Sequence, residues 1–192
     1  MSDSASVELE IRASCEAARW SEAATTALET YGDELLGYLV AVTRNEADAA
    51  DAFSQLAESL WTGLPAFRWD SSLRTWAYTL ARSALHRQRR DPRRRRAVPL
   101  DDAAVDAIAA SVRSRTATFL RTETRDKIAR IRATLDPDDQ TLLILRINRR
   151  MAWRDVARVL GDSDDDPDKL ASSLRKRFER LKAELKSRAA EP

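Results

Sequence analysis

The chain has 192 residues, with 33 Lys and Arg set against 31 Asp and Glu, one cysteine and one histidine. The lone Cys15 excludes an internal disulfide, and with His86 far from it in sequence there is no His/Cys metal cluster and no Cys/His catalytic pair to build. No apolar run approaches the roughly 18 residues needed to span a bilayer, and the acidic start with Asp3 and Glu8 lacks the pattern of a signal peptide, so a reducing cytoplasm is the expected compartment.

A hydrophobic content of 43% is enough for a packed core, yet glycine is scarce at 4 and no stretch alternates as a half-buried strand does. The expected class is all-α. The net charge of +2 conceals segregation, with arginines gathered between Arg87 and Arg96 and aspartates between Asp162 and Asp166. Val7, Ile11, Cys15 and Ala18 predict a first helix over 7–20 after a frayed start, and Ser21 reads as the cap of a second that holds Ala27, Leu28, Tyr31, Leu35, Leu39 and Val42. Asn45-Glu46 breaks that helix.

In the third run Ala50, Phe53, Ala57, Leu60, Trp61 and Leu64 recur at helical spacing and predict one buried stripe, while Asp48, Asp51, Gln55, Glu58 and Ser59 take the opposite face. The segment 63–72 is a loop, because Pro65 has no amide for a helix ladder and Ser71 or Ser72 can cap a new helix. Its Phe67 and Trp69 must either fold back onto the core or offer a flat face to something else. Leu73, Trp76, Ala77, Leu80, Ala81, Ala84 and Leu85 then predict a fourth stripe, with Arg74, Thr75, Tyr78, Arg82, Ser83, His86 and Arg87 facing outward. Trp61 and Trp76, on their stripes, are expected in the core. The helix runs on into Arg87, Arg89, Arg90 and Arg93 to Arg96, a basic block that suits phosphate contact and has a solvated tail as its plainer reading.

Asp91-Pro92 and Val98-Pro99 discourage helix, so 93–115 reads as a linker, with at most a weak helix near 102–112. The expected organisation is a helical domain over 1–92, this linker, and a second domain over 116–192. Helical periodicity returns at Phe119, Leu120, Ile128, Ile131 and Leu135. Asp136-Pro137-Asp138-Asp139 then opens a short helix holding Leu142, Leu143, Leu145 and Ile147. A second short helix buries Val156, Ala157 and Leu160 and ends at Gly161, expected as a left-handed C-cap. The last helix aligns Leu170, Leu174, Phe178, Leu181 and Leu185, and its other faces carry Ser172, Ser173, Arg175, Lys176, Arg180 and Lys182. Two short helices joined to a basic third form a helix-turn-helix pattern.

The residues Asp51-Ala52-Phe53-Ser54-Gln55 through Leu60-Trp61, followed by Phe67-Arg68-Trp69-Asp70-Ser71-Ser72-Leu73-Arg74-Thr75-Trp76-Ala77-Tyr78, resemble the second conserved region of bacterial sigma factors of the extracytoplasmic-function (ECF) type. The C-terminal part, with Leu135-Asp136-Pro137, Trp153-Arg154-Asp155-Val156-Ala157 and Leu174-Arg175-Lys176-Arg177-Phe178, is similar to the fourth region. The resemblance implies a non-enzymatic subunit that binds core RNA polymerase, directs it to promoters and helps open the minus-ten element. It implies polymerase contact by Asp48, Asp51, Ser54, Gln55 and Glu58, and minus-ten contact by Phe67, Arg68, Trp69, Arg74, Thr75, Tyr78, Arg82, Ser83 and Arg87. Ser172, Ser173, Arg175, Lys176 and Arg180 would meet the minus-thirty-five duplex. An anti-sigma or other inhibitory protein is a further partner class that it allows. Stacking of unpaired bases on aromatic rings, with arginines neutralising the backbone, suits these assignments.

The chain departs from the family at Ser54, where glutamine is usual, at Ser83, where asparagine is frequent, and at the acidic turn Asp162 to Asp168, which lengthens the approach to the last helix. That turn lacks the ligand order and central glycine of a calcium loop. No cofactor or metal is expected, and no nucleophile, base and oxyanion site come together in sequence. His86 reads as a surface residue. The alternative to a sigma factor is a stand-alone helix-turn-helix regulator, which needs no aromatic loop for single strands but must bind duplex DNA well by itself.

Overall fold

Helix α2 (Trp20–Thr43) is apolar around much of its circumference and forms the axis of the first of two compact units, 1–117 and 118–192. In this computed structural model the described residues are 4–90, 102–116, 118–119, 134–162 and 165–190. They form eight α-helices with no strand among them, as the all-α expectation requires. Leu28, Leu35, Leu36, Tyr38 and Leu39 of α2 are fully buried, which means neighbours on several sides. Those neighbours are α1 (Ser4–Glu16), α3 (Glu46–Gly63), α4 (Leu73–Arg90) and α5 (Ala103–Arg113).

The first boundary differs from expectation. Helix α1 begins at Ser4 and ends at Glu16, Ala18 takes a left-handed φ of 55°, and Trp20 opens α2, so Ser21 lies inside that helix and is not its cap. At the other end Arg44, also left-handed at φ 55°, returns its N–H to the Val40 carbonyl and turns the chain. The Asn45 side chain accepts from the Asp48 N–H at 3.0 Å and starts α3.

Residues 103–113, where the expected linker allowed a weak helix near 102–112, form a helix that packs into the first unit. Asp102 caps α5 by accepting from the N–H groups of Ala104 and Val105, and Val105, Ala109 and Val112 are buried against α2 and α3. The prolines that suggested a linker lie upstream of it, and three small apolar residues at helical spacing suffice to seat a helix in a groove already formed. Residues 91–101, including the arginines at 93–96, lie outside the described residues.

The second unit holds α6 (Pro137–Leu143), a π-helical turn Ile144–Asn148, α7 (Trp153–Leu160) and α8 (Pro167–Ala190). Asp136 caps α6 with Pro137 at its first position, and Asp166 caps α8 by accepting from the Asp168 N–H at 2.9 Å. Ala171, Leu174, Phe178 and Leu181 of α8 are buried, and α8 packs on α7 and α6. Ile147, expected in the short helix with Leu142, Leu143 and Leu145, lies in the π turn and is 51% exposed. Gly161 is extended at φ −82°, not left-handed. It is required for another reason: a Cβ there would come within 2.7 Å of Leu170 and 2.8 Å of the Ala157 carbonyl. The expected helical run through Leu120, Ile128 and Ile131 lies outside the described residues.

Candidate nucleic-acid and polymerase interface

Helix α4 starts under two caps. Ser72 Oγ accepts from the Thr75 N–H at 3.0 Å, and the carboxylate of Glu8, on α1, accepts from Leu73 N–H at 2.8 Å and Arg74 N–H at 3.0 Å. A carboxylate on first-turn amides satisfies donors that no helix can pair internally and also faces the positive end of the helix dipole. Tyr31 donates its hydroxyl to the same carboxylate at 3.0 Å.

The loop before this helix is an aromatic stack. Phe67 lies nearly parallel to Trp76, with ring centroids 4.6 Å apart and planes inclined by 18°, and tilted against Trp69 at 4.8 Å. Trp69 has φ 60°, a backbone region costly for a bulky residue, and the Arg12 guanidinium of α1 sits 5.6 Å from its ring centroid. Phe67, Trp69 and Trp76 are each half-buried, so the loop folds back on α4 and still leaves aromatic surface in water. Trp76 therefore corrects the expectation of a core residue, as does Trp61, also half-buried. Arg68, beside Asp70 at 3.6 Å, is 86% exposed and extends the loop's surface.

Along α4 the buried stripe is rotated from the expected one. Tyr78 and Thr75 are buried at 0% and 2% exposure, so neither faces outward as expected. Tyr78 meets Tyr38 edge-to-face at 5.4 Å, an apolar contact that its hydroxyl conceals in the sequence. Arg74 is not free for a phosphate either. Its Nε and Nη2 donate to the two carboxylate oxygens of Glu34 at 2.6 and 3.0 Å. Burial works against the guanidinium's charge, but the hydrogen bond and charge of Glu34 outweigh it and hold the Arg74 pKa above its ordinary value. Arg82 is half-buried, whereas Ser83 and Arg87 are exposed. Arg87 donates to Ser59 Oγ at 3.0 Å.

On α3, Glu58 is exposed and Asp48, Asp51 and Gln55 are half-buried, forming one acidic and polar face. Ser54 leaves this set, being 6% exposed with its hydroxyl turned onto the Ala50 carbonyl at 3.0 Å. Gln88 of α4 donates to the Asp48 carbonyl at 2.8 Å, joining the end of α4 to the start of this face.

In the second unit Ser172, Ser173, Arg175, Lys176 and Arg180 are all exposed on α8, and all but Ser172 line one shallow surface together with Glu179. Arg177, between them in sequence, turns inward to Asp139 and Asp136. Trp153 of α7 packs edge-on to Phe178 at 5.4 Å, with the Arg146 guanidinium 4.3 Å from its ring and that of Arg175 at 5.7 Å. The acidic turn is engaged at its described ends: Asp165 accepts from the Asp162 N–H at 2.8 Å, and Asp168 lies 3.6 Å from Arg154.

Glu8, Arg12 and Glu34 were not among the sequence candidates. Only the four-residue spacing of Glu8 and Arg12 on one helix face hints at a shared target, and nothing in the chain names it. No curated protein and no solved structure matches the chain. Residues 27–96, which take in most of α2 and all of α3, the aromatic loop and α4, match the family model for Sigma-70 region 2, and that match supports a sigma-70 family factor.

Proposed function

We propose that the protein is a sigma factor of the ECF type, which binds core RNA polymerase, directs it to specific promoters and opens their minus-ten element. The observation that carries this reading is the match to Sigma-70 region 2 falling on a stretch whose loop packs Phe67 and Trp69 together, with Phe67 stacked on Trp76 at the head of an arginine-tailed helix. Bases leaving a duplex lose stacking, and an aromatic platform returns about 1–3 kcal/mol per base. Phe67 and Trp69 are that platform, with Arg68, Ser83 and Arg87 as the exposed polar contacts beside it. Asp48, Asp51, Gln55 and Glu58 dock on the polymerase, and in the second unit α8 reads the minus-thirty-five duplex as the last helix of a helix-turn-helix.

Such a protein accelerates no covalent step of its own. It works in the cytoplasm by binding energy and DNA deformation. Run-off transcription from genomic fragments by core polymerase, with and without the purified chain, tests the reading. New, discrete start sites that require the chain support it, and an unchanged transcript pattern overturns it.

A further inference from the structure

Helix α1 precedes residues 27–96, yet two of its side chains reach the aromatic loop and the first turn of α4. Glu8 and Arg12 stand four residues apart and so share a face of α1. Glu8 holds the Leu73 and Arg74 amides, and Arg12 covers one face of Trp69. Between these two anchors the chain passes through Trp69 in a left-handed conformation that a tryptophan adopts only when its surroundings hold it there. The Phe67 ring packs tilted against that of Trp69, with centroids 4.8 Å apart, and the Arg12 guanidinium lies over the Trp69 ring at 5.6 Å.

Resting on the reading of this loop as a single-strand site, we propose that α1 is its positioning element: Glu8 fixes where α4 begins and Arg12 sets the orientation of Trp69. The loop is thereby ordered before any DNA arrives. An ordered platform spares the entropy of arranging the loop when a base stacks, so losing α1's grip weakens capture of the unstacked strand while leaving the α3 face as it was.

A double-mutant cycle tests this, using the full chain assembled with core polymerase on a promoter recovered by run-off mapping. Opening is followed by 2-aminopurine fluorescence in the minus-ten element. Arg12→Ala is expected to slow opening about five- to tenfold, with polymerase affinity held within about twofold. In a Trp69→Leu background the same change is expected to add less than about twofold, because Arg12 acts through that ring. Equal losses in both backgrounds, or none in either, overturn the role of Arg12. Glu8→Gln, which offers one neutral oxygen in place of two charged ones, is expected to slow opening in the same direction, and wild-type rates there overturn the role of Glu8. If Trp69→Leu alone opens promoters at the wild-type rate, the single-strand reading of the loop fails, and this inference fails with it.

Discussion

Arg74 and Glu34 form a two-pronged ion pair, Nε to Oε1 at 2.6 Å and Nη2 to Oε2 at 3.0 Å, that ties the first turn of α4 to the middle of α2. An arginine at the head of a basic helix invites assignment to a phosphate, but here both side chains are about three-quarters shielded, at 26% and 23% exposure, and the guanidinium is already taken. Glu34→Ala leaves that guanidinium shielded without its carboxylate. The expected loss is about 1.5–3 kcal/mol of stability, read by urea unfolding. Arg74→Ala is expected to cost stability likewise and to leave the salt dependence of DNA binding unchanged.

Trp69→Ala is expected to impair promoter opening more than polymerase binding, since the ring lies in the loop and the acidic α3 face does not depend on it. A loss of about 1–3 kcal/mol, or roughly five- to 150-fold in opening, corresponds to one stacking platform. Equal loss of both activities would point to misfolding instead.

The docking of α5 carries a pH dependence. Asp102 accepts from the Ser21 hydroxyl and from the Val105 and Ala104 amides, and these hold its pKa below the ordinary aspartate value. The unfolded chain therefore takes up the proton first as pH falls. The contribution is complete above the ordinary aspartate range and is lost as pH drops through the lowered folded value. Amide exchange in α5 is expected to quicken in acid before that in α2, and Asp102→Ala is expected to flatten the difference.

Where α5 lies on α2, Gly32 admits Val112: a Cβ at Gly32 would stand 2.9 Å from the valine Cγ2. Alanine gains about 1 kcal/mol over glycine within a helix, but overpacking costs about 1–3 kcal/mol. Gly32→Ala is expected to lower the melting temperature, and Val112→Ala in the same chain to recover part of the loss.

Helix existence was legible because the apolar periods of α3, α4 and α8 are strong, and Ser72 and Asp136 announce the starts of α4 and α6 with side chains that cap. Rotation of the buried face was not. Tyr78 and Thr75 carry hydroxyls and read as outward, whereas Trp76 reads as core and stacks on a loop. Position 103–113 was obscured by neighbouring prolines and by side chains too small to announce a packed helix. Glu8 illustrates the limit most plainly, because its partners at Leu73 and Arg74 are backbone amides, which leave no mark in a sequence.

On α8 the exposed cations divide from the engaged one. Lys176→Ala and Arg180→Ala are each expected to reduce the salt slope of promoter binding, measured with the chain assembled on core polymerase, by about 1 if they meet phosphate. Arg177, held by Asp139, is expected to affect unfolding of the second unit and not that slope.

The central claim is tested most directly by binding the purified chain, at moderate salt, to core RNA polymerase and separately to duplex DNA. Tight association with polymerase and little affinity for free duplex is the predicted result. Strong duplex binding with no hold on polymerase would contradict the account and identify an independent DNA-binding regulator.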